Sequence, residues 1–306
     1  MMHIVQVANF YSPTSGGLRT AVDALRAGYE AAGHQVTLVV PGAADTEKGG
    51  TVSIASPAVS GGYRVITRVG RFVDVLAGLR PDAIEVSDKL LVGPAARVAR
   101  RRGVRLVLVS HERLDGILAR RFPSRRLLVA AADRWNRHLA DRADDIVCAS
   151  AYSGEEFARI GVDVRTVPLG VDLDTFRPAG PKVPALVVCA GRLSAEKRPE
   201  IVVDATRILC EQGRAIRVVL AGTGPLLAPL RHRAVRLPVH FLGHVERRTD
   251  MAALLAEAAV VAAPCPVETF GLAALEAMAC GTPVVTTDRG AAQELLAPGA
   301  GLAVAP

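Results

Sequence analysis

Lysine is almost missing from this chain: only Lys48, Lys89, Lys182 and Lys197 stand among its 37 basic residues, so the formal net charge of +7 rests on arginine. Guanidinium groups suit bidentate phosphate recognition, and a general arginine preference on the surface gives the same composition. Both readings stand at this level. Aromatic residues make up 4% of the 306 positions and no basic stripe carries interleaved aromatics, which argues against nucleic acid as a partner. The five cysteines, Cys148, Cys189, Cys210, Cys265 and Cys280, are odd in number and have no C-x-x-C spacing. Neither a disulfide framework nor a zinc site is expected, because thiols inside apolar runs pack as small hydrophobes. Long hydrophobic runs are also lacking. ALVVCAG from Ala185 and VVAAPCPV from Val260 fall far short of the roughly 20 residues a bilayer crossing needs. The opening MMHIVQVANF has no basic stretch before its apolar run, so no secretory signal is read and the expected compartment is the cytoplasm.

Half of the residues are apolar, enough for two domains with cores of their own. Short β-branched runs alternate with amphipathic segments. IVQVA (4–8), VTLVV (36–40), AIEV (83–86), RLVLVS (105–110) and DDIVCAS (144–150) read as strands. The stretches 18–33, 72–79 and 94–102 read as helices, and Ser153 is a candidate cap for SGEEFARIG. A Pro- and Gly-rich stretch, TVPLGVDLDTFRPAGPKVPA, interrupts the rhythm. It restarts with ALVVCAG (185–191), a helix over 199–213, IRVVLAG (216–222), a helix over 250–258, VVAAP (260–264), a helix from near Gly271, and PVVTT (283–287). The expected fold class is α/β, two Rossmann-like domains facing a cleft. The first covers residues 1–168, 169–184 link the two, and the second covers 185–306.

In such sheets ligands bind beyond the carboxyl ends of the strands. After the first strand, Gly16 and Gly17 precede a helix, where they either allow close approach of an anion or simply make the turn. GRLSAEKRPE puts Arg192 and Lys197 on a loop that leads into a helix with Pro199 in its first turn. Two cations there are either surface charges or the means to neutralise a diphosphate leaving group. ETFGLAALE has Glu268 and Glu276 at its ends and a helix start at Phe270, Gly271 and Leu272 between them. At the helical rise, eight residues span about 12 Å, the scale from the ribose to the hexose of a nucleotide sugar. Alternatively, Glu268 complements the helix dipole and Glu276 is merely solvated.

GRLSAEK, the block PCPVETFGLAALEAMACGTPVV and the N-terminal glycine pair together resemble the retaining glycosyltransferases of family 4, which have the GT-B fold. The resemblance runs from residue 2 to about 304 and implies that domain 1–168 is the acceptor side and domain 185–306 binds the donor nucleotide. It implies that Arg192 and Lys197 hold the donor diphosphate, that Glu276 binds the ribose, and that Glu268 faces hydroxyls of the transferred sugar. The amides of Phe270, Gly271 and Leu272 would contact sugar and phosphate, Gly16 and Gly17 would close over the diphosphate, and His111 would stand near the reacting carbon. AGTGP and FLGHV resemble loops beside the base, with His244 and Val245 nearest it. DLD (172–174) sits in the family's G-V-D pattern, so no metal and no cofactor are expected beyond a GDP- or UDP-sugar donor. The reaction implied is hexosyl transfer, of mannose or glucose type, with retention and without an enzymic nucleophile, to a hydroxyl of a lipid or polysaccharide precursor. Two other functions remain open: a nucleotide-sugar binder without transfer, and a two-domain nicotinamide dehydrogenase, which would want a G-x-G-x-x-G that is not evident. Relatives usually continue into helices that return to the first domain, and the chain is expected to lack them. Arg97, Arg100, Arg101 and Arg102, with Arg120, Arg121, Arg125 and Arg126 beside Phe122, Leu127 and Leu128, suit either a soluble face or peripheral contact with anionic lipid at the inner face of the plasma membrane.

Overall fold

A computed structural model describes residues 1–12, 16–59, 63–118 and 124–305, and the chain divides into two compact units, Met1–Pro168 and Leu169–Pro306. In the first unit, β1 (His3–Val7), β2 (Gln35–Gly42), β5 (Ala83–Val86), β6 (Arg105–Ser110) and β7 (Asp145–Cys148) form the middle of one sheet. Its edges are β3 (Thr46–Lys48) and β4 (Thr51–Ala55) on one side and β8 (Arg165–Thr166) on the other, in the order β3-β4-β2-β1-β5-β6-β7-β8. All pairings are parallel except that of β3 with β4. The apolar runs read as strands are therefore buried on both faces, as parallel strands must be when helices cover them. The connecting helices are α1 (Gly17–Ala31), α2 (Val69–Gly78), α3 (Val92–Arg102), α4 (Leu114–Leu118), α5 (Arg125–Ala140) and α6 (Ala151–Ala158). Phe72 and Leu76 of α2 and Ala95, Val98 and Ala99 of α3 pack with Val5, Ile84 and Leu106 in one core.

The opposite face of the sheet, toward which the alternate residues of β1 and β5 point, holds a buried polar group. The amide of Gln6 donates to Glu85 Oε1 at 2.8 Å and the Tyr29 hydroxyl donates to Oε2 at 2.6 Å. Burial raises the Glu85 carboxyl above its ordinary range, against the pull of these two donors.

The second unit carries a fully parallel sheet in the order β11-β10-β9-β12-β13-β14. Its strands are β9 (Leu186–Ala190), β10 (Arg217–Ala221), β11 (Val239–Gly243), β12 (Val260–Ala263), β13 (Val284–Thr287) and β14 (Gly301–Val304). Helices α7 (Pro199–Glu211), α8 (Leu227–Arg233), α9 (Arg248–Glu257) and α10 (Leu272–Ala279) connect them, with a 3-10 turn at Ala292–Leu295. Pro199 is the first helical residue of α7, where its missing N–H costs nothing.

Two local expectations change. Ser150, not Ser153, caps α6: its extended backbone lets its Oγ accept from the Ser153 amide at 3.0 Å, while the Ser150 amide donates to Ser153 Oγ at 3.0 Å. Ser153 is the reciprocal partner three residues on, so the pair forms a capping box. The helical ruler between Glu268 and Glu276 also fails. Gly271 takes a left-handed φ of 100° and α10 begins only at Leu272, so the first half of that interval is not helix.

Candidate active site

The carboxyl edge of the second sheet is laced together through its loops. Beyond β9, the Gly191 amide donates to Ala221 O and the Leu193 amide to Thr223 O, both at 2.9 Å, and the Gly222 amide donates to Gly243 O at 2.7 Å. The loops after β9, β10 and β11 thus run backbone to backbone. At Gly222, with φ 146°, a Cβ would lie 1.8 Å from Gly191 O, so the approach demands glycine. GRLS and AGTGP, distant in sequence, are neighbours by construction. His244 is exposed and Val245 partly buried just after β11.

Lys197, in the loop between β9 and α7, donates from Nζ to Glu268 Oε2 at 2.5 Å. Two motifs read separately from the sequence meet here. Burial works against the ammonium, yet the Glu268 carboxylate, with Cys265 and Glu196 nearby, holds the lysine above its ordinary pKa. Arg192 lies exposed five residues earlier in the same loop. Burial pushes the Glu196 carboxyl up, but the Ser194 hydroxyl and the charges of Arg192 and Lys197 hold it below the usual value. The loop therefore carries a net concentration of cations around one satisfied carboxylate.

Glu268 is kept in place through its backbone, whose carbonyl accepts from the Ala291 amide at 2.7 Å. Phe270 is buried, so what it offers outward is its amide and not its ring. Gly271 caps α10 with no side-chain hydrogen bond, which leaves the first amides of that helix without an intrahelical acceptor. A Cβ on Gly271 would press on Ala292 Cβ at 3.1 Å and reach ordinary contact with Glu268 Cγ at 3.6 Å, so any larger side chain there meets both.

Glu276, one turn into α10, is largely buried and pairs with Arg248 at 3.2 Å. Burial raises its carboxyl pKa, opposed by the Arg248 charge. Sequence reasoning missed Arg248, the first residue of α9, whose guanidinium also lies 4.8 Å over the Phe176 ring. A cation at a helix N-terminus opposes the helix dipole, and that mismatch is the signal a sequence reader can use. Asp172 of the DLD stretch is spent on its own turn: it accepts from the Asp174 amide at 3.0 Å and from the Thr175 hydroxyl at 2.6 Å. Among the described residues, no group of three or more His, Cys, Asp or Glu side chains is placed to hold a metal ion.

In the first unit, His111 follows β6 directly, and Gly16 and Gly17 stand at the start of α1, beyond β1. Residues 13–15 of that loop lie outside the described residues, as do Arg120, Arg121 and Phe122. Gly16 has a φ of −79° and a ψ of −104°, and an added Cβ would meet no described atom within 4 Å, so no described neighbour crowds a side chain out there. Burial drives the His111 imidazole down to about 4, which keeps it neutral at physiological pH. It lines a small cavity with Ser87, Asp88, Lys89, Ser110 and Glu112 at the ends of β5 and β6. Asp88 accepts from the amides of Asn9 (3.2 Å), Leu90 (2.9 Å) and Leu91 (3.0 Å), yet burial still raises its pKa. Sequence reasoning missed this buried polar group, because its members come from separate strand ends.

Comparison with known proteins agrees with this arrangement. The model of glycosyltransferase family 4 matches residues 15–175, and that of glycosyl transferases group 1 matches residues 173–306. A GDP-mannose-dependent alpha-(1-6)-phosphatidylinositol dimannoside mannosyltransferase of Mycobacterium tuberculosis is 47% identical over 96% of this chain and 82% of its own length. A glycogen synthase of the same species is 27% identical over 100% and 83%. Among solved structures, sucrose-phosphate synthase of Thermosynechococcus elongatus superposes with a TM-score of 0.80 at 21% identity, covering 100% of this chain and 86% of that one. HepE of Anabaena in complex with UDP and glucose gives 0.76 at 19% identity, with the same coverage. These folds are of the GT-B type, and the paired Rossmann-like units are not those of a nicotinamide dehydrogenase. The chain belongs to glycosyltransferase family 4, and its activity is that of a hexosyltransferase.

Proposed function

We propose that this chain transfers mannose from GDP-mannose, with retention, to a hydroxyl of a phosphatidylinositol mannoside lipid. The observation that carries the reading is the 47% identity over 96% of the chain to a mannosyltransferase described by that donor and that acceptor class. In this reading Arg192 and Lys197 take the diphosphate and stabilise the charge that grows on it as the glycosidic bond breaks. Lys197 donates to Glu268, so the carboxylate that addresses the sugar also aims the cation that addresses the phosphate. Glu276, steadied by Arg248, accepts from the ribose hydroxyls. The uncapped start of α10 at Phe270, Gly271 and Leu272 donates to sugar and phosphate oxygens. His244 and Val245 border the base. Gly16 and Gly17 leave room for the diphosphate, and no described atom occupies the space around a Cβ at Gly16. His111, neutral, hydrogen-bonds near the reacting carbon without placing a full positive charge beside an oxocarbenium-like sugar. The acceptor hydroxyl attacks from the face the diphosphate leaves, and the departing diphosphate takes its proton. No resident metal is invoked.

Among the described residues no helix is long and apolar enough to cross a membrane. A lipid acceptor is then met peripherally at the cytoplasmic face. Exposed Arg97, Arg100, Arg101 and Arg102 on α3, and Arg126 with Leu127 on α5, provide a surface of the required charge and polarity. Titration calorimetry with GDP, GDP-mannose, UDP and UDP-glucose tests the donor. The guanosine ligands are expected to bind at least about tenfold more tightly, a difference near 1.4 kcal/mol. Tighter binding of UDP-glucose would contradict the donor assignment.

A further inference from the structure

Glu156 of α6 has no solvent exposure, and Lys89, in the turn after β5, is almost as deeply buried. Their side chains form an ion pair. Such a pair stabilises a fold less than apolar groups of equal volume do, so stability alone does not account for its placement. Its connections do. The second carboxylate oxygen, Oε2, accepts from the Leu114 amide at 3.1 Å, and Lys89 Nζ also donates to Asn136 Oδ1 at 3.2 Å. Four elements meet at this point: the turn after β5, the first residue of α4, α5 and α6. Leu114 ends the short segment His111, Glu112, Arg113 that leaves β6. Arg113 is tied to the same helix, donating to Tyr152 O at 2.8 Å and to Glu155 Oε2 at 2.5 Å. The Glu155 end of that grip is exposed and open to screening, whereas the Glu156 end is dry.

We propose that Glu156, paired with Lys89, is a positioning residue that fixes the segment His111–Leu114 against α6 and so sets where His111 stands at the end of β6. The inference rests on His111 being a group of the transfer site. An apolar side chain at 156 would leave both the Lys89 ammonium and the Leu114 amide without their carboxylate, each a costly buried loss. Carboxylate is the one side-chain chemistry that answers an ammonium on one oxygen and an amide on the other. Burial lowers the Lys89 pKa and the Glu156 charge opposes that shift, which is the electrical side of the same arrangement.

The test compares Glu156→Leu, Glu156→Gln and the double variant K89M/E156L with the wild-type chain. Each is assayed for mannosyl transfer well below its Tm, for GDP affinity, and for hydrogen exchange at the Leu114 amide. Glu156→Leu is expected to lower kcat roughly tenfold or more, as small misplacements of catalytic groups do, and to speed Leu114 exchange, with GDP affinity unchanged. Glu156→Gln, which keeps an acceptor for the Leu114 amide, should retain more of the rate than Glu156→Leu. If Glu156→Leu does not fold, the double variant carries the test, since it strands no charge yet still leaves Leu114 unanswered; the same loss is expected. A purely structural role would lower Tm while leaving kcat and the exchange of Leu114 at wild-type values, and that result would overturn the proposal. A wild-type chain that transfers nothing would overturn the functional reading instead, and Leu114 exchange would still decide the positioning.

Discussion

Lys197 is the residue at which two parts of the donor site become one. Its ammonium reaches Glu268 at 2.5 Å, so the loop proposed to bind the diphosphate and the carboxylate proposed to face the sugar are in direct contact. Lys197→Ala is expected to lower kcat by at least about 10²-fold, the loss typical of one contact that stabilises developing negative charge, and steady-state kinetics with GDP-mannose checks it. Wild-type turnover would remove Lys197 from the site. Residues 192, 197, 268 and 276 were legible as candidates, since they are charged groups in the loops and helix that follow strands, where ligands of such sheets bind. Their partners were not. Arg248 stands 28 positions before Glu276, and Lys89 pairs with a carboxylate 67 positions away; only folding creates such contacts.

The start of α10 shows most clearly how an element positions side chains. Gly271 must hold a φ of 100°, and its missing Cβ lets Ala292 and the Glu268 side chain come close. Gly271→Val should therefore act twice: through backbone strain of order 1–3 kcal/mol and by displacing Glu268. We expect a lowered Tm and donor affinity weakened by roughly tenfold in calorimetry, a larger loss than strain in the backbone alone would give; donor affinity equal to wild type in a folded variant would separate Gly271 from the site. Most strands and helices were legible from β-branched runs and 3.6-residue spacing, because parallel strands buried on both faces leave an uninterrupted apolar signature. The exceptions have physical causes. The exposed β3 has only three residues and no apolar face, and α5, with Leu127 and Trp135 facing solvent, reads as a basic surface rather than as a helix with a buried stripe. At α6 either serine suits a cap by type, and the reciprocal bond between Ser150 and Ser153 decides the boundary.

Across the molecule, the two units divide the chemistry. In the proposed function the second supplies cations, carboxylates and a bare helix start to a nucleotide sugar, and the first supplies a neutral histidine beside a buried polar network and an arginine-rich exterior to an anionic lipid surface. The two-unit α/β architecture was legible because the strand-helix rhythm stops in the Pro- and Gly-rich stretch after β8 and starts again at β9. The acceptor was not legible, since an arginine-rich face has the same composition whether it meets water or lipid. Family membership fixes the reaction class, and the proposed function adds to it the transferred sugar and its stereochemistry. The most direct measurement is transfer from GDP-mannose to phosphatidylinositol mannoside presented in anionic vesicles, with the product linkage read from its anomeric one-bond carbon–proton coupling. We expect a new α-linked mannose with one GDP released per transfer. A β-linked product, or wild-type chain that binds GDP-mannose and transfers nothing to the lipid, would contradict it.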